Sequence, residues 1–142
     1  MAALLDHKTV GAPFSNALEV VRVQYDFAND AGATGKLDVL TASEALVIHS
    51  FYVKGITELD SAADGASIDI GVDTTNEDVL IDGVAEATFA AGAIVPPVVV
   101  EGTPNVMALP LSLPAAGKIN FTIVAEALTS GKCEMVFVIG RP

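Results

Sequence analysis

Apolar and polar residues alternate with period two over most of the chain, which predicts strands rather than helices. Between Leu18 and Phe27, Val21, Val23, Tyr25 and Phe27 point one way and Arg22, Gln24 and Asp26 the other. Lys36 to Leu40 reads as a short strand. Ala45 to Lys54 reads as a longer one, apolar on both faces, with Leu46, Ile48 and Tyr52 against Val47, Phe51 and Val53. Such a strand is expected between two layers or at a subunit contact. Ser67 to Val72 keeps Ile68, Ile70 and Val72 in phase, and Val79 to Ile81 makes a further short strand. Ile94 to Val100 and Asn105 to Leu111 read as strands whose prolines, Pro96, Pro97 and Pro110, confine them to edges or bends. Val84 to Ala91, bracketed by Gly83 and Gly92, is the one stretch suited to a helical turn or two.

The final segment, Lys118 to Pro142, gives the clearest pattern. Ile119, Phe121, Ile123 and Ala125 share one face of its first arm, and Cys133, Met135, Phe137 and Ile139 share one face of its second. A three-residue loop, Thr129 to Gly131 with Gly131 left-handed, would pair Phe121 with Ile139, Ile123 with Phe137 and Ala125 with Met135. The expectation is a C-terminal β-hairpin. Short strands with Gly and Pro punctuation predict an all-β chain folded as an antiparallel β-sandwich.

Residues 1–16 show no sustained period and read either as an extended N-terminal arm or as a disordered terminus. Leu4, Leu5, Val10 and Phe14 make the arm apolar enough to want a partner surface. Residues 17–142 are then a single β-sandwich domain. A domain of this size buries roughly 68–70% of its unfolded surface, enough for a core without metal or disulfide.

Composition narrows the functional classes. The net charge of −11 comes almost wholly from residues 55–117, which hold ten acids and no Lys or Arg. An acidic surface repels phosphate backbones, so no nucleic-acid partner is expected. No apolar run reaches the ~20 residues of a membrane span, so no membrane partner is expected either. The start of the chain lacks the pattern of a signal peptide, and the single cysteine, Cys133, fits synthesis in a reducing cytoplasm.

Residue types limit the catalytic chemistry open to the chain. A metal site of the jelly-roll enzyme kind needs several imidazoles, and the chain has only His7 and His49. His49 reads as structural or surface. The acidic run from Asp69 to Asp78 matches no calcium loop with defined ligand positions and reads as a solvated loop, with Ca²⁺ binding left open over residues 69–82. Cys133 alternates in phase with Met135 and Phe137, which makes it a core residue. No nucleophile elbow or phosphate-cradling loop is present. The expectation is a non-enzyme without metal or cofactor.

Three segments carry a resemblance. Ala125-Glu126-Ala127-Leu128-Thr129-Ser130-Gly131-Lys132 and the apolar strand after it look like the closing hairpin of small tailed-bacteriophage head proteins. The segment from Gln24 to Gly35, and Ser67-Ile68-Asp69-Ile70-Gly71 with its acidic loop, resemble the early and middle strands of the same group. The chain is thus similar to capsid decoration, or cement, proteins. The resemblance implies a jelly-roll β-sandwich with an N-terminal arm, lying on the capsid exterior of a virion after synthesis in the host cytoplasm. It implies the major capsid protein as partner, self-association as a homotrimer, and stabilisation of the expanded shell. Leu4, Leu5, His7, Lys8, Val10 and Phe14 of the arm become the capsid-binding candidates, and removal of residues 1–16 is expected to weaken attachment and spare the fold. The alternative is a virion fibre or tail module, or a cell-surface adhesion module, of the same fold class.

Overall fold

A computed structural model describes residues 2–14, 16–73, 75–99, 103–104 and 109–142. Twelve strands form among them: β1 (Ala2–Val10), β2 (Glu19–Asp26), β3 (Gly35–Ala42), β4 (Leu46–Ser61), β5 (Ser67–Val72), β6 (Asn76–Ala85), β7 (Ile94–Val95), β8 (Val98–Val99), β9 (Thr103–Pro104), β10 (Leu111–Leu113), β11 (Lys118–Val124) and β12 (Leu128–Gly140). A single helical turn, α1 (Phe27–Asp30), and a 3₁₀ turn at Glu86–Thr88 complete the elements. The helix expected from Val84 is only that 3₁₀ turn, because Val84 and Ala85 still belong to β6. Most of the strand expected over Asn105 to Leu111 lies outside the described residues.

The strands make two sheets. Sheet 1 has the order β1-β3-β11-β5-β6-β8-β9, and sheet 2 the order β10-β4-β12-β2 with β7 also on β4. Pairing is antiparallel except for β1 with β3 and β6 with β8. The antiparallel pairs are nested along the chain: β5 with β6, β4 with β10, β3 with β11 and β2 with β12. That nesting is the winding of a jelly roll, in which one long folded-over ribbon wraps into two facing sheets.

The nesting overturns the C-terminal hairpin. β11 pairs with β3 and β5 in sheet 1, and β12 with β2 and β4 in sheet 2, so the two arms face each other across the sandwich. Seven of the eight residues expected on the inward faces are buried, namely Ile119, Phe121, Ile123, Cys133, Met135, Phe137 and Ile139, while Ala125 lies beyond β11 and is exposed. Alternation identifies a buried face, but it does not identify the neighbour on either side. The crossing takes place at residues 125–127, where Ala125 has φ 71°. Thr129 to Gly131 lie within β12 instead of forming a turn. Gly131 does have a positive φ, 123°, and a Cβ there would sit 2.6 Å from the Leu59 Cα, so a bulged stretch of strand requires the glycine.

A second bulge explains the doubly apolar strand. Against β12, Ile139 pairs with Ile48 and Val138 with Ser50, which leaves His49 as the extra residue. The phase flips there, so Leu46 and Ile48 before it and Phe51 and Val53 after it all reach the one core. His49 itself is exposed.

One aromatic stack joins the two sheets across the core, and a second aromatic pair packs within sheet 2. Tyr25 of β2 stacks on Phe121 of β11, with centroids 4.8 Å apart and planes 15° apart. Phe51 and Phe137 are register partners on β4 and β12, with centroids 5.0 Å apart. The Tyr25 hydroxyl, the one polar group of that stack, donates to the Ala31 carbonyl at 2.6 Å.

Candidate functional site

Residues 2–10, expected as part of an extended arm or a disordered terminus, run as edge strand β1 in parallel register with β3. The candidate residues divide accordingly. Leu4 is 2% exposed and belongs to the core, whereas Leu5 is 75% exposed. His7 Nε2 shares a hydrogen bond with Thr41 Oγ1 at 2.9 Å, and Lys8 Nζ lies 2.9 Å from Asp6 Oδ1. Val10 is half-buried against the core, and its carbonyl accepts from the Ser43 N–H at 2.7 Å. Phe14 is fully exposed. The structure therefore holds Leu4, His7 and Val10 inward or tied, and it leaves Leu5 and Phe14 on the surface. With Leu4 in the core and β1 covering β3, removal of residues 1–16 would cut into the fold.

Carboxylates close this margin of the sandwich. Asp30 Oδ1 accepts from the Leu5 N–H and Asp30 Oδ2 from the Asp26 N–H, both at 2.8 Å. Asp6 Oδ2 accepts from the Gln24 N–H at 2.7 Å, linking β1 to β2 where the two sheets do not pair. Burial pushes the Asp6 carboxyl up, but Lys8 and the Gln24 N–H outweigh it and hold the group below its ordinary value. Side chains thus occupy N–H groups that an incoming strand would need, which disfavours association by strand addition here.

Beyond β1 the chain turns over a groove of ≈ 570 Å³ lined by Val10, Ala12, Phe14, Ala17, Leu18 and Glu44, among others. Glu44 Oε1 accepts from the Ala12 N–H at 2.9 Å, and Arg141 Nη1 donates to the Phe14 carbonyl at 2.7 Å. Leu18 and Val20 are exposed beside it. Val20 could have been noticed in the sequence, since it is an apolar residue in the polar phase of β2. A second exposed apolar pair, Ile56 and Ile94, lies on β4 and β7, along the edge of sheet 2 opposite β2.

The acidic run from Asp69 to Asp78 is tied into sheet 1. Asp69 accepts from the Gly83 N–H at 2.7 Å, and its carboxyl is raised by burial first and by Asp82 and Asp78 second. Lys36 pairs with Asp73 at 3.2 Å and with Glu77. A cavity of ≈ 580 Å³ between the β5–β6 turn and the β10–β11 turn has Asp73 and Lys118 as its charged lining residues. Neither feature assembles a nucleophile and base. Cys133 is fully buried, and desolvation pushes its thiol up to about 12, so it is no nucleophile in the folded chain. Among the described residues no helix is long and apolar enough to cross a membrane.

No protein-family model matches the chain, and no curated protein sequence matches it. The architecture does match solved structures. A chain in the cyanophage Pam1 capsid asymmetric unit superimposes with a TM-score of 0.58 at 15% identity, covering 94% of this chain and 91% of that one. A chain in the capsid of Ralstonia phage GP4 superimposes with a TM-score of 0.57 at 11% identity, covering 94% and 98%. The fold is one found in phage capsids. Both matches cover 94% of this chain, so the likeness extends over nearly all of its length.

Proposed function

We propose that this chain is a structural virion protein that binds the outer surface of a phage capsid as a trimer and stabilises the expanded shell. The observation that carries the reading is the end-to-end match to chains of two phage capsids. The body supports it: a dense jelly-roll core, a surface rich in acids, and no catalytic grouping among the described residues.

The mechanism is mechanical. Leu5, Phe14 and Leu18 form the apolar part of the capsid contact, with the groove beside Phe14 receiving side chains of the major capsid protein. Leu4, His7, Lys8 and Val10 act behind them, fixing β1 so that the exposed residues are presented in one geometry. The apolar pair Ile56 and Ile94 sits on the edge of sheet 2 away from β2, so a head-to-tail contact joining unlike edges can close into a threefold ring. Each contact of standard size buries ~800 Å² per partner, and three linked contacts per trimer add avidity. A trimer that binds the expanded shell and not its precursor stabilises the expanded state by mass action.

The test is binding of the purified protein to expanded heads and to precursor heads, with the oligomeric state measured by analytical ultracentrifugation. The expected result is a trimer that saturates expanded heads only. The double substitution Leu5→Asp with Phe14→Asp should weaken binding at least tenfold, by roughly the 1.4 kcal/mol or more that a decade in affinity represents. Full-length protein that ignores heads across a range of salt would refute the reading, and binding to intact host cells instead would favour an adhesion module.

A further inference from the structure

Three carboxylates converge where β4 ends, beside the 3₁₀ turn that follows β6. Asp60 is the penultimate residue of β4, Asp64 sits in the loop that follows, and Glu86 opens the 3₁₀ turn after β6. One carboxylate oxygen from each lies within 4.8 Å of the others. Asp60 and Asp64 are exposed, but Glu86 is 2% exposed, and its Oε2 has no hydrogen-bond partner. A buried carboxylate oxygen without a donor is costly, and two further acids beside it add repulsion. None of the ion pairs among the described residues engages these three: the bases go to Asp6, Glu134, Asp73, Glu77, Asp38 and Asp26.

We infer that Asp60, Asp64 and Glu86 form a calcium-binding site. Ca²⁺ takes oxygen ligands at about 2.3–2.6 Å, so two of its ligands can stand at most roughly 4.6–5.2 Å apart. Three oxygens within 4.8 Å of one another fall inside that limit, and Mg²⁺, which keeps several waters and usually takes one or two carboxylates, suits a three-carboxylate set less well. The all-oxygen donor set, with no His or Cys, favours a hard cation over zinc or copper. The scaffold is already held by other bonds. Glu126 Oε1 accepts from the Ala63 and Gly65 N–H groups at 3.0 Å, and the Glu86 N–H donates to the Ala66 carbonyl at 3.1 Å. Within the trio Asp60 Oδ1 accepts from the Ser61 N–H at 2.9 Å, and the carboxylates of Asp64 and Glu86 are left for a ligand. The ion would join the end of β4 in sheet 2 to the end of β6 in sheet 1, beyond the reach of either sheet's own ladder. The inference is independent of capsid binding, and it revises the expectation of a metal-free chain.

The test uses full-length protein freed of metal with a chelator, followed by calorimetric titration with CaCl₂ and thermal melting with and without 10 mM salt. One Ca²⁺ per chain is expected, with affinity on the order of 10⁻⁴–10⁻³ M, the range of modest oxygen sites. Saturation should raise Tm by roughly 4–9 °C. Asp64→Asn, at an exposed position, should keep the metal-free Tm within about 2 °C and abolish the calcium response. Glu86→Gln should also lose the response while melting no lower than the metal-free parent, since it removes the buried charge. Absence of heat and of a Tm shift up to 10 mM would overturn the site. So would an undiminished shift in Asp64→Asn, or an equal shift from MgCl₂, which would mark general charge screening.

Discussion

β12 and β1 both turn apolar residues inward, yet they are held in different ways. β12 lies between β2 and β4 for most of its length, and Cys133, Met135, Phe137 and Ile139 are fully enclosed. β1 has one sheet partner, its register breaks between Ala3 and Lys8, and Leu4 is its one fully buried side chain among those described. Much of what secures β1 is a set of carboxylates reaching to backbone N–H groups from α1 and from Asp6. The difference separates two tasks. Apolar burial in the centre supplies stability, and a polar-laced margin is free to keep Leu5 and Phe14 in water.

Substitutions along the two strands measure that division. Phe137→Ala should be the most damaging, costing about 3–5 kcal/mol, because its ring is enclosed by Phe51 and the opposite sheet and the cavity cannot collapse. Urea unfolding midpoints at constant slope would read the loss. Leu4→Ala should cost about 2 kcal/mol, near the low end for a buried leucine, since an edge can relax into the gap. Its neighbour Leu5→Ala should stay within about 0.5 kcal/mol of the parent while reducing capsid binding. A Leu4→Ala loss equal to that of Phe137→Ala would erase the distinction between centre and margin.

Acid should loosen the margin before the centre. The Asp6 carboxyl is depressed in the folded chain, so its contribution is present above the ordinary value of 3.8 and is lost as the pH falls through the lower folded value. Asp6→Asn should therefore cost about 0.5–1 kcal/mol at pH 6, a figure already reduced for the group's solvent exposure. The difference from the parent should shrink steadily below pH 3.8 and vanish once both chains are fully protonated. A penalty that persists at the lowest pH would show that the Gln24 contact depends on shape and not on charge.

β2 was legible in the sequence because it buries one face and alternates cleanly, and β5 through Ile68 and Ile70, whereas β3 was legible only as a short strand whose phase slips where Val39 and Leu40 are both buried. β4 was legible as a strand but not as a bulged one: a single extra residue at His49 makes two same-side runs look like two faces. The closing hairpin failed for a related reason. Loop parity constrains register only within one sheet, and a corner that crosses between sheets satisfies both apolar faces whatever its length. On the candidate surface, composition pointed to the first sixteen residues, and it could not tell Leu4 from Leu5, which the strand's pleat sends to opposite sides. The carboxylate trio was hidden by chain distance. Asp60 and Asp64 come next to Glu86 only because β5 pairs back on β6, with Ser67 opposite Ala85.

The nested pairing also dictates an order of events during synthesis. Strands β2 and β4 are made early, yet each must wait for residues 128–140 before its shared edge is covered. β3 and β5 likewise wait for residues 118–124. The emerging chain can pair β5 with β6, β1 with β3 and β4 with β7 and β10 beforehand, but β11 and β12 are needed to join the two halves of each sheet. Such distant pairings place folding in the slow range of small β proteins, about milliseconds to seconds. Until β12 arrives, the edges of β2 and β4 that it will cover present unpaired backbone N–H and C=O groups, a template for pairing with another chain.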